Sequence, residues 1–336
     1  MHHFVKTVLV VGLGSIGRRH VGIIKNLFPE INIVVLRHKQ CDKNDIDKLG
    51  LYKCVTSIDE AVATNPQAAI IANPAPMHIE VAKKLAKKGI NLLIEKPISD
   101  SPKGIQGLID TCSQNNCILM AAYNLRFLPS LIEFKTQLQA NKIGNIYSIR
   151  SEIGQYLPSW RPESDYKNGV SANKHLGGGV LLELSHEIDY LRWIFGPIDW
   201  VKSHISKQSD LDVDVEDTAH IIFGFKNNST LKRTHNLVAQ LNMDFIRHDS
   251  IRKCIVICEN GTLQWDGITN TVSFYPKDGK KWEVIFSERV ERNYTYREEI
   301  KHFFNCIESS KAPLVSGVDG ANVLRIINAI RESGTT

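Results

Sequence analysis

Short apolar runs alternate with amphipathic helical patterns over the first third of the chain. The runs are rich in Val, Ile and Leu and do not alternate with polar residues, which is typical of strands buried on both faces of a parallel sheet. The predicted strands are residues 8–11, 31–36, 68–72, 91–94 and 118–122. The predicted helices between them are residues 15–28, 79–88 and 103–113. This order predicts an α/β domain with right-handed crossovers.

The pattern changes near Ala122. The elements predicted next are a helix at 128–140, a strand with one wet face at 146–152, a polar loop at 157–179 and a helix at 181–195. Residues 198–287 contain several alternating strands, with hairpin turns predicted at Asn260-Gly261 and Asp278-Gly279. Helices at 296–309 and 322–332 follow. We therefore predict one domain over residues 1–122 and a second, with an antiparallel sheet, over residues 123–336.

Composition narrows the class of protein. The 336 residues carry a formal net charge of +5, and the basic residues are scattered, so no nucleic-acid partner is expected. No apolar stretch approaches the roughly 20 residues that span a bilayer, and the first residues lack the layout of a signal peptide. We therefore expect a cytoplasmic protein without a membrane partner. The seven cysteines are odd in number and form no CxxC pair, which indicates reduced thiols and no metal site.

A glycine-rich turn joins the first predicted strand to the first predicted helix. In the pattern G-x-G-x-x-G, the first glycine allows a tight turn, the second lets the backbone approach a pyrophosphate, and the third allows close helix–strand packing. The phosphates then meet the free amide groups at the start of the helix. The alternative is a turn kept only for packing. The sequence predicts a dinucleotide-binding Rossmann domain, with cofactor contacts from Gly12, Gly14, Ser15, Ile16 and Gly17.

The second predicted strand indicates which dinucleotide is bound. Enzymes that use NAD place Asp or Glu at the end of this strand, but here Arg37 and His38 follow Leu36. A carboxylate would repel the 2′-phosphate of NADP, whereas Arg37 can hold it by charge-assisted hydrogen bonds. We therefore expect NADP to be favoured over NAD, with Arg37 and His38 at the cofactor. In the alternative, Arg37 stacks on the adenine and the protein accepts either dinucleotide.

Three further motifs carry a family resemblance. Asn73-Pro74 and His78 follow the predicted strand at 68–72, and Glu95-Lys96-Pro97 follows the predicted strand at 91–94. A Gly triplet at 177–179 leads to His186. Together with the glycine turn, these motifs resemble the Gfo/Idh/MocA family, which includes glucose-fructose oxidoreductase and inositol dehydrogenase. The resemblance covers essentially the whole chain. Residues 177–196 look similar to the branch of that family found with surface-polysaccharide sugar biosynthesis.

The resemblance implies a fold and an activity. Members join a Rossmann domain to a C-terminal α/β domain built on an open, mainly antiparallel sheet. They mostly oxidise or reduce a secondary alcohol of a sugar, cyclitol or nucleotide sugar with NAD(P). Lys96 matches the family lysine, which contacts the reacting hydroxyl and the nicotinamide, and His186 matches the general acid/base. Asn73, Pro74 and Glu95 fall in cofactor-binding segments, and His78 either caps its helix or approaches the nicotinamide.

The same residues suit hydride transfer on chemical grounds. Removing hydride from a carbinol leaves an oxyanion unless a base takes the hydroxyl proton, and histidine suits that task near neutral pH. A lysine ammonium stabilises the developing negative charge. The alternatives are a surface role for Lys96 and a helix-surface role for His186. Many relatives have an acid four residues before the histidine, where Leu182 stands, so Glu183, three residues before it, is the candidate on the same helix face.

Several residues are candidates for substrate binding. Tyr123 and Arg126 begin the second domain, and we expect Arg126 to face the cleft between the domains. The polar loop holds Trp160, Arg161 and Tyr166. Aromatic rings stack on sugar faces and arginines bind phosphate or carboxylate, so the arginines suggest an anionic sugar or nucleotide sugar. In the alternative, Arg161 pairs with a loop carboxylate.

Two other functions remain open from the sequence. One is a dinucleotide-binding regulator or sensor on the same scaffold, without turnover. The other is a reductase with a different carbonyl substrate, of the dihydrodiol or biliverdin type. The presence of Lys96 and His186 favours catalysis. Because an open sheet face usually needs covering, we expect a homodimer or homotetramer.

Overall fold

The computed structural model describes residues 5–140, 142–226, 231 and 236–334. The chain forms two compact units, one from Met1–Asn124 with Arg292–Leu324 and one from Leu125–Glu291 with Arg325–Thr336. The predicted boundary at 122 falls close to the first crossing between them. The structure differs from the predicted division at residues 292–324, which belong to the first unit although they lie late in the chain.

A parallel sheet forms the centre of the first unit. Its strands are β1 (Thr7–Val11), β2 (Asn32–Leu36), β3 (Lys53–Val55), β4 (Ala68–Ile71), β5 (Asn91–Glu95) and β6 (Leu119–Ala122). They lie in the order β3-β2-β1-β4-β5-β6, and each runs parallel to its neighbours. The order reverses direction between β1 and β4, which is the point where open α/β sheets bind ligands. The predicted parallel sheet is confirmed.

Helices connect the strands of the first unit. They are α1 (Ser15–Leu27), α2 (Lys43–Leu49), α3 (Ile58–Val62), α4 (His78–Ala86) and α5 (Ile105–Gln114). The sequence analysis did not predict α2, β3 or α3. These elements are short, and the segment that holds them is mostly polar, so neither the helical nor the strand period rises above its surroundings.

A mixed sheet forms the second unit. Its strands are β7 (Ile146–Gly154), β8 (Ile198–Ser206), β9 (Thr218–Phe225), β10 (Val238–Asp244), β11 (Ile251–Cys258), β12 (Gly261–Asp266), β13 (Thr271–Pro276) and β14 (Glu283–Ser287). The order is β14-β13-β12-β11-β7-β10-β9-β8. Neighbours are antiparallel except β7 and β10, which run parallel. The prediction of an open, mainly antiparallel sheet is confirmed, and hairpins occur at both predicted turns.

Helices cover part of this sheet. They are α6 (Pro129–Gln139), α7 (Val180–Glu183) and α8 (His186–Phe195). On α6, Ser130 accepts a hydrogen bond of 3.0 Å from the indole nitrogen of Trp265, which is fully buried on β12. On α8, the Tyr190 ring packs edge-on against the same indole and its hydroxyl bonds Ser151 of β7 at 2.6 Å. These buried aromatic contacts fix both helices on the sheet.

The predicted helix at 181–195 is interrupted. Leu184 and Ser185 separate α7 from α8, so Glu183 and His186 lie on two different helices. The expectation that both residues share one helix face is therefore wrong. The predicted loop at 157–179 contains a series of 3₁₀ turns at Leu157–Trp160, Tyr166–Asn168, Val170–Ala172 and Lys174–Leu176.

Two further helices follow β14. They are α9 (Tyr294–Ser309) and α10 (Gly317–Ser333). α9 packs on α1, where the rings of Phe28 and Phe304 lie 5.1 Å apart. The backbone of Ala121 at the end of β6 also donates a 3.1 Å hydrogen bond to Val315. Through these contacts, residues 292–324 pack against the rest of the first unit.

The cysteines differ from expectation in one pair. Cys41 and Cys54 form a disulfide with their Cα atoms 6.0 Å apart, so the prediction of reduced thiols throughout is wrong for them. The other cysteines are free thiols. Across the described ranges, helices that combine the length and apolar character needed to cross a bilayer are absent.

Candidate active site

The glycine turn has the geometry that its sequence pattern predicts. Gly12 has φ +92°, and a Cβ there would lie 2.9 Å from both the carbonyl oxygen of Ala72 and the amide nitrogen of Asn73. A Cβ on Gly17 would overlap the carbonyl oxygen of Gly12, so only glycine lets α1 approach the turn this closely. Gly14 instead faces open space, with no atom within 4 Å of the position of a Cβ.

This turn fits a dinucleotide pyrophosphate. α1 begins at Ser15, its N-cap residue Gly14 provides no side-chain cap, and its first turn has no acidic residue. The amide groups of Ser15 and Ile16 therefore remain available to an anion, and the helix dipole favours negative charge there. A side chain at residue 14 would fill the open space in front of the turn, so glycine at this position leaves room for a phosphate.

Arg37 and His38 lie directly after β2. The backbone nitrogen of Arg37 donates a 3.2 Å hydrogen bond to Val55 of β3, which fixes the start of this segment. The Arg37 side chain is half-buried and His38 is exposed. Their predicted cofactor contacts remain predictions.

His78 braces two loops rather than capping a helix. Its ring is 1% exposed, with Nε2 2.7 Å from the carbonyl oxygen of Asn73 and Nδ1 3.1 Å from that of Pro97. Burial lowers its pKa, while the contacts with the carbonyl groups of Asn73 and Pro97 act in the opposite direction. The cap interpretation is wrong, because α4 has no side-chain cap. Through His78, the Asn73-Pro74 segment and the residue after Lys96 are held together.

Glu95 supports Lys96 from the other side. Its Oε1 accepts a 2.6 Å hydrogen bond from Nε2 of His20 on α1, and its Oε2 accepts a 3.2 Å bond from the backbone nitrogen of Lys96. The peptide bond between Lys96 and Pro97 is cis. The carboxylate of Glu95, predicted among the cofactor contacts, is thus directed to a buried histidine. Lys96 lies at the carboxyl edge of the parallel sheet, with its backbone held on both sides.

His186 is the first residue of α8, and the helix behind it is held by buried ion pairs. Asp189 receives two bonds from Arg126, Nε to Oδ2 at 2.9 Å and Nη2 to Oδ1 at 2.6 Å. Glu187 lies 3.0 Å from Nε of Arg252 on β11. Complete burial raises the pKa of Glu187, while the charge of Arg252 acts in the opposite direction. These pairs fix the orientation of the turn that carries His186.

Arg126 and Tyr123 are not placed as the sequence analysis expected. Arg126 is 3% exposed and its guanidinium is bound to Asp189, so the expected orientation toward a cleft is wrong. Tyr123 is fully buried. The reason is a tertiary contact: Asp189 is a buried charge that needs a bidentate cationic partner, and Arg126, 63 residues earlier in the chain, supplies it.

The other substrate candidates converge on one pocket of the second unit. Its lining residues are Leu157, Trp160, Arg161, Ser164, Asp165, Tyr166, Gly169 and Ser171. The Trp160 ring packs edge-on against Phe245, and its nitrogen donates a 3.2 Å bond to Gln155. The Tyr166 hydroxyl accepts a 3.2 Å bond from the backbone of Asp212. Both rings are therefore held in place beside the exposed Arg161.

Glu183 joins this pocket through Ser171, whose hydroxyl donates a 2.9 Å hydrogen bond to Oε2 of Glu183. The expected alternative for Arg161, an ion pair with a loop carboxylate, is not what the structure contains. Asp165 instead accepts bonds from the backbone of Lys167 and the side chain of Asn168. Arg161 lines the pocket, and among the described residues no salt bridge joins it to a carboxylate.

Comparison with protein-family models gives two matches. Residues 6–123 match the description "Oxidoreductase family, NAD-binding Rossmann fold", and residues 135–336 match "Oxidoreductase family, C-terminal alpha/beta domain". The chain belongs to the Gfo/Idh/MocA family. The predicted resemblance is confirmed, and membership identifies the protein as an oxidoreductase with an NAD(P)-binding domain.

Similar members of the Gfo/Idh/MocA family include two curated dehydrogenases. The chain is 23% identical to D-xylose 1-dehydrogenase (NADP(+)) 2 of Haloferax volcanii, covering 86% of this chain and 85% of that protein. It is 24% identical to myo-inositol 2-dehydrogenase of Thermotoga maritima, covering 96% and 95%. These names describe the relatives, whose substrates differ.

Solved structures of the Gfo/Idh/MocA family share the fold. Levoglucosan dehydrogenase in complex with NADH superposes with a TM-score of 0.84 at 20% identity, covering 98% of this chain and 96% of that one. The WlbA dehydrogenase of Bordetella pertussis in complex with NADH and UDP-GlcNAcA has a TM-score of 0.80 at 18% identity, with the same coverage.

Some residues that shape this site were missed by the sequence analysis. His20 is buried and binds Glu95, Glu299 is buried close to Glu95, and the half-buried Arg252 pairs with Glu187 next to His186. Each is far in sequence from the group it serves, and a single buried histidine or carboxylate has no distinguishing pattern. In the part of the chain that the structure describes, clusters of three or more His, Cys, Asp or Glu side chains suited to a metal are absent.

Proposed function

We propose that this Gfo/Idh/MocA oxidoreductase interconverts a secondary alcohol and a ketone on a sugar, cyclitol or nucleotide sugar, with NAD(P) as hydride carrier. The main support is the placement of Lys96. It stands at the carboxyl edge of the dinucleotide-binding sheet, and the residues on both sides of it are anchored by buried histidines. A lysine whose backbone is fixed on both sides at this edge of the sheet is suited to contact a reacting group.

In the proposed mechanism, the chain's own residues orient the substrate and handle its proton. A bound nicotinamide supplies the hydride acceptor or donor. During oxidation, the ammonium group of Lys96 donates a hydrogen bond to the reacting oxygen and stabilises the negative charge that develops there. His186 accepts the hydroxyl proton, so the alcohol loses one hydride and one proton and becomes a ketone. In reduction the same imidazole returns the proton.

We propose that the loop pocket binds an anionic part of the substrate. Trp160 and Tyr166 offer ring faces and Arg161 offers a guanidinium, which together suit a sugar with a phosphate or carboxylate. The WlbA structure, which has this fold and is a complex with UDP-GlcNAcA, supports the proposal. Glu183 and Ser171 lie beside the pocket and can bind sugar hydroxyls.

We also propose a preference for NADP over NAD. Arg37 follows β2 where a carboxylate would select NAD, and its cationic side chain suits a 2′-phosphate. A xylose dehydrogenase relative has NADP in its name, while NADH is present in the similar solved structures. In the alternative, Arg37 stacks on the adenine and the protein accepts either dinucleotide.

The predicted oligomer and location complete the proposal. Apolar side chains remain exposed on strands of the mixed sheet, among them Tyr147, Trp200 and Ile222. Burying such a surface between copies of the chain would stabilise a homodimer or homotetramer. Both this assembly and a cytoplasmic location stay predictions.

A substrate screen tests the proposed function. Free sugars, cyclitols, acidic sugars and nucleotide sugars are each incubated with NAD and NADP, and the absorbance of the reduced cofactor is followed. We expect turnover with an anionic sugar, its loss in Lys96→Ala, and unchanged dinucleotide binding by that variant in calorimetry. Near-normal turnover by Lys96→Ala would remove its catalytic role. Dinucleotide binding without turnover on any substrate would support the regulator instead.

A further inference from the structure

A second carboxyl group lies buried beside the residues that hold Lys96. Glu299 on α9 has no solvent exposure, and neither of its oxygens has a hydrogen-bond partner among the residues that the structure describes. The carboxylate of Glu95, already bound to His20 and to the backbone of Lys96, is close enough to act on it electrostatically. Two ionised carboxylates in such a buried environment would repel one another strongly.

The groups around this pair come from several elements. α1 contributes Arg19 and His20, β5 contributes Glu95, and α9 contributes Tyr296 one turn before Glu299. The Arg19 guanidinium lies 4.8 Å from the centre of the Tyr296 ring, and the His20 ring lies 6.1 Å from it. From α4, His78 also lies within the electrostatic influence of Glu95.

These neighbours favour a charge on Glu95 and not on Glu299. Glu95 has a histidine and a backbone amide as hydrogen-bond donors. Glu299 has no cationic partner among the described residues, and burial together with the charge of Glu95 raises its pKa well above the ordinary value. The protonated form of Glu299 avoids this repulsion, whereas its ionised form would place a second negative charge beside Glu95.

We propose that Glu299 is a positioning residue that remains a neutral carboxylic acid in the folded protein, so that Glu95 stays the anionic anchor of His20 and of the Lys96 backbone. This inference rests on the proposed function for the role of Lys96. The protonation of Glu299, however, is a property of folding and can be measured without any substrate.

Proton linkage to folding tests the protonation directly. An unfolded glutamate titrates near a pKa of about 4.3, so above that pH the chain must take up one proton when it folds with neutral Glu299. The unfolding equilibrium constant of the wild-type chain should therefore rise about tenfold per pH unit relative to Glu299→Gln, which carries no proton to lose. The measurement is urea unfolding of both full-length proteins at several pH values between 5 and 8, on the order of one pH unit apart.

A matched control is available on the same helix. Glu298 is partly exposed and accepts a 2.8 Å bond from Lys301, so Glu298→Gln should show no such pH-dependent difference. Infrared spectroscopy gives a second readout that does not require reversible unfolding. The carbonyl stretch of a buried protonated acid should be present at neutral pH in the wild type and in Glu298→Gln, and lost in Glu299→Gln.

Turnover tests the positioning role. Glu299→Gln preserves shape, neutrality and a hydrogen-bond donor, so it should keep kcat and the pH profile of kcat within about twofold of the wild type. Glu299→Leu is neutral as well, so it should leave Glu95 anionic and keep kcat within about twofold of the Glu299→Gln value, with dinucleotide affinity little changed. A pH-independent stability difference between wild type and Glu299→Gln, or a kcat that falls roughly tenfold or more in both neutral variants, would overturn the inference. If no sugar is turned over while the linkage is present, the proposed function fails and the protonation of Glu299 stands.

Discussion

Replacing Arg126 with methionine should destabilise the second unit severely, because it removes the guanidinium that binds both oxygens of the buried Asp189 carboxylate. Asp189 is 1% exposed, and both of its oxygens bind the Arg126 guanidinium. Removing one partner of a buried ion pair costs about 3–5 kcal/mol of folding free energy. Lost packing of the guanidinium on the Trp193 ring, 5.6 Å away, adds about 0.5–1 kcal/mol.

The expected loss of about 4 kcal/mol is large enough to measure by two methods. For a domain of this size each kcal/mol corresponds to about 2–4 °C, so the Tm should fall by roughly 10 °C. Urea unfolding should show a lower midpoint with an unchanged slope. The double variant Arg126→Met, Asp189→Leu should recover most of the loss, because replacing both charges by apolar groups removes the unpaired carboxylate. Arg161→Met, in the exposed loop, is the control and should stay within about 0.5 kcal/mol of the wild type.

Two outcomes would refute this reasoning. The first is a loss of less than about 1 kcal/mol in Arg126→Met, which would mean that the ion pair contributes little. The second is a stable variant whose KM for the substrate rises strongly at unchanged fold. That result would restore the substrate-binding role that the sequence analysis assigned to Arg126.

Three other variants give separate tests. Arg37→Asp should invert the cofactor preference, because the introduced carboxylate repels a 2′-phosphate and can accept a hydrogen bond from a ribose hydroxyl. An unchanged ratio of kcat/KM for NADP and NAD would exclude a role of Arg37 in binding the 2′-phosphate. Arg161→Ala should raise KM for an anionic sugar by roughly 10- to 100-fold at nearly constant kcat, because losing a hydrogen bond to a charged group costs about 1.5–3 kcal/mol. An equal rise in KM for neutral sugars would argue against anion recognition. Although burial alone would raise it, hydrogen bonds from Ser209, Gln208 and Thr218 lower the pKa of Asp217. A carboxylate whose pKa is lowered by folding stabilises the folded protein at pH values above its unfolded pKa of about 3.9. In urea unfolding, the wild type should therefore lose its stability advantage over Asp217→Asn as the pH falls through that range. A stability difference that does not change with pH would contradict the assignment.

The parallel sheet was predictable because its strands are buried on both faces and read as continuous apolar runs. Strands β1, β2, β4, β5 and β6 all lie within a residue or two of their predicted bounds. The segment that contains α2 and β3 was missed because its few apolar residues do not repeat at either period. Short elements such as these are stabilised mainly by the sheet edge that they join.

The predicted helix at 181–195 shows the limit of a local pattern. Its apolar positions are compatible with one continuous helix, yet the chain leaves helical geometry at Leu184 and Ser185. The start of α7 is held instead by Glu216, whose backbone oxygen accepts from Val180 and whose side chain accepts from Leu181. A residue more than thirty positions away thus helps to decide where this helix lies, and spacing alone does not reveal it.

The Rossmann strands and the glycine turn were predictable from the sequence because they depend on residues that are neighbours along the chain, and the family resemblance singled out Lys96 and His186 as candidates. Tertiary structure alone decided that Arg126 pairs with Asp189, that His20 and His78 anchor the residues flanking Lys96, and that 292–324 packs on the first unit. Burial sets the cost of an unpaired charge, and burial arises only when distant segments come together, so the partner of a buried polar group cannot be read from its own neighbourhood.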